Sequence, residues 1–230
     1  MLRRLIKASA IVIGTGLVVA GCSSAKIGAA AIMTSQRITI STLNNQVTNL
    51  NETAKRYPGI VSLSAMQATQ QTLTWLIRYE INDELARQNG ITITTAQAEA
   101  ALAEIYASAK AQAEASGLTN VSLDLILAAN GIPPDTSAEL GRYEAIQIQY
   151  VKNVCGGTIP TSTSGQAAAS AKVDQAQCQA AKALDILVNP QFGRMDYSQA
   201  PYQVVSAPST VAGSPGPAPT ASPSGTAPAC

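Results

Sequence analysis

Hydrophobic positions along this chain recur mostly at helical spacing. After a first apolar run at Ala8–Ala20, the stretch Ala29–Ile40 reads as two short strands around a turn at Ser35-Gln36. Thr39 or Ser41 is placed to cap a helix whose apolar face carries Leu43, Val47 and Leu50, and Tyr57-Pro58-Gly59 ends it. Met66, Leu73, Ile77, Ile81 and Leu85 predict a long helix over 64–88, with Trp75 and Leu76 beside the stripe and Asn89-Gly90 as its stop. Thr94 and Thr95 open a third helix. Its buried side is predicted at Ala98, Ala101, Leu102, Ile105 and Ala109, small enough for a second helix to approach closely. A short helix follows over 122–129. The next runs from a cap at Asp135 or Thr136 to about Asn153, with Leu140, Tyr143, Ile146, Ile148 and Tyr150 as apolar positions. Residues 156–166 read as a loop and 167–187 as the last helix, stopped by Asn189-Pro190, with a strand over 192–197. The pattern is that of a mainly α domain with a minimal β-hairpin or small sheet, closed by a C-terminal helix and short strand.

The two ends differ from this middle. Arg3, Arg4 and Lys7 precede the first apolar run, which is short for a membrane span of about 20 residues, and the layout is that of a secretory signal. The run ends Val19-Ala20-Gly21-Cys22 and resembles a bacterial lipobox. That resemblance implies cleavage before Cys22 and acylation of its thiol, hence a membrane partner through the lipid anchor and a place on the extracytoplasmic face of the cell membrane. Two or three acyl chains hold a protein stably where one does not. After Ser206 only Pro, Ser, Ala, Gly and Thr are common, a composition with too little apolar surface to offset ordering. The organisation is therefore 1–21 signal peptide, 22–28 tether, 29–205 helical domain and 206–230 disordered tail.

Composition narrows the chemistry. No histidine occurs among the 230 residues, which removes the commonest general base and metal ligand. Cys155, Cys178 and Cys230 lack CxxC spacing, so no metal site is expected. Without Arg3, Arg4 and Lys7 the mature chain carries 12 basic and 14 acidic residues, a charge of −2 that offers no footprint for nucleic acid. No GxxxxGK[ST] loop is present, so no nucleotide is expected as cofactor or partner. Glu80, Asp83 and Glu84, interleaved with Arg78 and Arg87, read as a solvated helix face, and no catalytic residue is assigned. In an oxidising compartment a Cys155–Cys178 bridge is favoured over two free thiols. It would close the Ser/Thr/Gly loop and contribute roughly 3 kcal/mol. Cys230 is then left odd, either free or paired with another molecule. Aromatic residues make up 4% of the chain, with one Phe, Phe192, predicted to pack as 192–197 lies beside 30–34 or 37–40.

The order of segments carries a resemblance. Ile38-Thr39-Ile40-Ser41-Thr42-Leu43, the helix around Leu73-Thr74-Trp75-Leu76-Ile77, Gly90-Ile91-Thr92-Ile93-Thr94 and Asn130-Gly131-Ile132-Pro133 resemble, in sequence and spacing, the SurA N-terminal domain family of envelope foldases. Asn189-Pro190-Gln191-Phe192-Gly193-Arg194 resembles a closing segment of its actinobacterial-type lipoprotein members. The likeness covers most of 29–197. It implies a helical domain that shields unfolded or partly folded secreted proteins without ATP. Many members insert a parvulin prolyl isomerase before the last helix; the interval 153–167 is too short for one, so that activity is not carried over. The apolar positions Met33, Met66, Trp75 and Met195 are first of all core, and any that are exposed are the candidates for contact with a client. Two functions follow: a general holder of unfolded chains, or a structural or adaptor lipoprotein with one envelope partner. An enzyme is the poorest reading.

Overall fold

Thr39 ends one element and begins the next. Its backbone is extended, φ −78° and ψ 156°, and its side chain accepts from the Thr42 N–H, so a strand turns directly into a helix. The computed structural model of the chain describes residues 27–206 except 35, 199 and 201. The proposed signal peptide, Cys22 and the tail lie outside them. The protein is mainly helical with small antiparallel sheets: β1 (Ala29–Ile32), β2 (Arg37–Thr39), α1 (Ile40–Arg56), α2 (Ala65–Gln88), α3 (Thr95–Ala115), α4 (Leu123–Ala129), α5 (Ser137–Val154), α6 (Thr163–Leu184), β3 (Leu187–Val188), β4 (Arg194–Asp196) and β5 (Gln203–Val205).

α2 is the axis. Ser64 caps it, with Gln67 completing a reciprocal capping box. Its buried residues include Thr72, Leu73 and Thr74 in succession, then Ile77, Tyr79, Ile81, Asn82 and Leu85, so it is enclosed on several sides rather than along one stripe. Leu73, Ile77, Ile81 and Leu85 share the main core with Leu43 of α1, Ile146 of α5, Ala180 and Leu184 of α6, and Met33 and Ile38 of the hairpin. Asn82, fully buried, joins three helices: its Nδ2 donates to the Tyr143 carbonyl at 2.7 Å and its Oδ1 accepts from Gln177 Nε2 at 3.4 Å. A second apolar cluster of Leu50, Val61, Ala68, Leu125 and Ala128 sits between α1, α2 and α4. α3 lies against α5, where the close approach requires Gly141: a Cβ there would stand 2.5 Å from the Ala98 carbonyl oxygen.

The chain's end closes on its beginning, though not where the sequence places the contact. β1 pairs antiparallel with β2 and, on its other edge, with β3, in register Ala31↔Val188 and Ile32↔Leu187. Asn189 extends this seam, its backbone N–H donating to the Ala30 carbonyl and its side chain to the Ala29 carbonyl. Residues 194–196, expected beside the first hairpin, instead pair with β5 in a second two-stranded sheet. Gly193 permits that turn, since a Cβ would collide with the Val205 carbonyl. β5 docks on α2, with the Val204 N–H donating to Thr74 Oγ1 at 2.9 Å and Arg78 Nε to the Tyr202 carbonyl at 2.9 Å. The last helix also starts earlier than expected. Ser162 accepts from the Gly165 N–H, so 163–166 belongs to α6, and Asp185 ends it in a left-handed conformation at φ 47°.

The expected Cys155–Cys178 bridge is not formed. Cys155 is a free thiol at the C-cap of α5, whereas Cys178 is disulfide-bonded. α5 and α6 are antiparallel neighbours, and the end of α5 lies opposite the start of α6. The Lys172 ammonium donates to the Val154 carbonyl, and the Tyr150 hydroxyl to the Lys172 carbonyl. Cys178 lies six residues farther along α6, about 9 Å of helical rise, more than a disulfide spans.

Candidate functional site

Two clefts flank the segment where β5 and the Pro190–Gly193 turn lie on the first half of α2. The first, about 640 Å³, is lined by Ala65, Met66 and Thr69 from α2 and by Pro190, Gln191 and Phe192 opposite. The second, about 620 Å³, is lined by Gln67, Gln71, Trp75 and Arg78 of α2, Asn130, and the outer side of 203–205. Gln70 and Ser206 line both. Gln70 Nε2 donates to the Phe192 carbonyl at 3.4 Å and to Ser206 Oγ at 3.1 Å, and the Ser206 hydroxyl points to the Met66 sulfur at 3.5 Å. Met66 is 64% exposed. Such a thioether adapts to differently shaped apolar surfaces. Phe192 is half-buried, one side on the main core and the other on the cleft.

The second cleft is more polar, with an aromatic floor. Trp75 packs with Tyr79 and Tyr143 at centroid distances of 5.9 Å each. The Arg78 guanidinium lies 4.9 Å from the Trp75 ring centroid. Burial holds Arg78 below its ordinary pKa, with the charges of Tyr143 and Tyr79 acting the other way. The Tyr79 hydroxyl donates to Thr136 Oγ1, which itself donates to the Pro133 carbonyl; burial raises the Tyr79 pKa. Gln71 Oε1, also lining this cleft, is a buried acceptor with no hydrogen-bond partner among the described residues. The paired clefts thus offer an apolar wall on one side and amide, guanidinium and indole groups on the other.

Of the four residues singled out for contact with a client, the fold divides two from two. Met66 and Trp75 line the clefts. Met33 and Met195 are 4% and 9% exposed and belong to the main core, so they are corrected to packing residues. Cys22 lies outside the described residues. Sequence reasoning overlooked Gln67, Gln70 and Gln71 and treated Phe192 as core alone. A run of glutamines on a helix otherwise buried on several sides is the signal that marks this wall.

The acids of α2 do not form a carboxylate pair in a cleft. Asp83 Oδ1 accepts from Arg142 at 2.8 Å and Glu84 binds Arg87. Glu84 is held below the ordinary carboxylate range by its hydrogen bond with Arg87, against desolvation. Burial, with the nearby Asp83 charge, raises Glu80. Among the described residues no three His, Cys, Asp or Glu side chains are grouped as metal ligands would be, and no helix is long and apolar enough to cross a membrane. No protein-family model, curated protein or solved structure matches the chain.

Proposed function

We propose that the protein is a lipid-anchored, extracytoplasmic, ATP-independent holder of unfolded or partly folded secreted polypeptides, built on a SurA N-terminal-like domain. The observation that carries this reading is the apolar cleft between Met66 and Phe192, continuous along Gln70 and Ser206 with the amide-rich cleft at Trp75 and Arg78. An extended client would set alternate side chains against Met66 and Phe192, while its backbone meets the glutamine amides of α2. The grip uses burial of apolar area and general backbone hydrogen bonding, neither of which reads a specific sequence. The return of α6 and β3 to the first hairpin supports the family likeness, because one unit then joins both ends of the domain. The lipobox at Cys22 supports the anchor.

The test is photo-crosslinking in cells from position 66, with position 33 as a buried control. Many different secreted proteins should be trapped from 66 and none from 33. Met66→Asp should weaken suppression of light scattering by an unfolded secreted protein several-fold without lowering the melting temperature. A single trapped partner, with no effect on scattering, would instead identify a dedicated adaptor.

A further inference from the structure

The three methionines among the described residues stand in unlike surroundings. Met33 and Met195 are 4% and 9% exposed and lie in the main core. Met66 is 64% exposed near the start of α2 and forms part of the wall of the cleft that faces Phe192. We infer that Met66 is an oxidation site: a two-electron oxygen donor such as hydrogen peroxide converts its thioether to the sulfoxide, which the Ser206 hydroxyl holds at the cleft, so that an apolar wall becomes a polar one. That oxidation weakens the grip on a client rests on the function proposed above; the site itself does not.

The sulfur ends a directed relay. Gln70 Nε2 donates to Ser206 Oγ at 3.1 Å, and the Ser206 hydroxyl donates to Met66 Sδ at 3.5 Å. A thioether is a weak acceptor. A sulfoxide oxygen carries a large partial negative charge and takes the same donor far better, so the relay is better satisfied after oxidation than before. Ser206 follows β5, and the relay therefore fixes the new oxygen between α2 and that strand, where the two clefts meet. In the reaction a sulfur lone pair attacks one peroxide oxygen. The S–O bond forms as the O–O bond breaks, and the sulfur loses two electrons. The departing hydroxide takes the proton of the transferred oxygen and leaves as water. Met33 and Met195 are enclosed and offer no face for this attack, so burial makes the reaction selective. Once Met66 is oxidised, Phe192 and Pro190 look across the cleft at a dipole where they had an apolar surface.

The test treats the full-length protein with graded hydrogen peroxide and digests it with trypsin, which puts Met33, Met66 and Met195 on the separate peptides 27–37, 57–78 and 195–230. Peptide 57–78 should gain one oxygen about tenfold faster than the other two. Binding of a hydrophobic fluorescent dye should fall several-fold in the oxidised protein, and so should its suppression of scattering by an unfolded secreted protein. Met66→Leu keeps an apolar wall without a sulfur and should lose neither under the same treatment, which also controls for oxidation elsewhere, Cys155 included. Ser206→Ala should make the fall in dye binding smaller, because the sulfoxide is then released to solvent. Equal oxidation of the three peptides overturns the inference. So does dye binding that is unchanged once Met66 is fully oxidised, or that falls equally with and without the Ser206 hydroxyl. If dye binding responds as expected while the unoxidised protein suppresses no scattering, the oxidation site stands and the holder reading falls.

Discussion

At the scale of single residues, a buried and a half-buried polar group make opposite demands. Asn82 has both ends of its carboxamide used within the core, by Tyr143 and Gln177. Asn82→Ala removes the bridge between α2, α5 and α6 and takes from the Gln177 amide its acceptor on α2. It should cost about 2–3 kcal/mol in urea denaturation. Glu144, by contrast, has no ion pair among the described residues, and burial raises its pKa. A carboxyl raised in the folded state holds its proton more tightly there than in the unfolded chain. Its contribution is therefore most favourable below the ordinary carboxylate range, and stability falls as pH climbs through that range toward the raised value. Glu144→Gln should flatten this slope and raise the melting temperature at pH 7, measured by calorimetry across pH 4–8. Glu80, which has no ion pair among the described residues, contributes a slope of the same sign that this variant leaves in place.

At the scale of elements, the α3–α5 contact is set by absence of a side chain. α3 buries only Ala101 fully, and its neighbours Leu102, Ile105 and Tyr106 are half-covered, so this close approach is a large part of what holds it, beside the Tyr106 hydroxyl bond to the Val121 carbonyl. Gly141→Ala gains about 1 kcal/mol of helix propensity. It also drives a methyl group into the Ala98 carbonyl, part of a helix backbone that moves only as a whole. The collision should dominate, at about 1–3 kcal/mol, and amide hydrogen exchange should quicken in 95–115 before the rest of the domain. Much of this layout was legible in the sequence, because caps are local chemistry: Thr39, Ser64, Thr94 and Ser122 each accept from the backbone three residues on. The early start of α6 was hidden because Ser162 lies in a Ser/Thr-rich run where every residue is a plausible cap. The strands β3 and β5 are two and three residues long and owe their existence to β1, β4 and α2. Nothing at that length carries a period. The candidate site was half legible for a related reason. With α2 buried on several sides, helical periodicity alone could not separate an inward methionine from an outward one.

On the scale of the whole molecule, residues 187–206 act as a clasp. β3 covers the free edge of β1, while Met195, Tyr202 and Val204 cover α2 from outside. A chain ended after Asp185 should therefore lose cooperative melting in circular dichroism and bind a hydrophobic dye, because these pieces complete the main core and do not merely decorate it. The same clasp dictates timing. Ala29 is bonded to Asn189 across 160 residues. A chain emerging from its N-terminus presents β1 first and the strand that seals it almost last. Through nearly the whole of synthesis, Ala29–Met33 must wait with one edge open, and the core around Leu73 and Ile77 stays unfinished. The proposed keeper of incomplete chains spends its own birth as one.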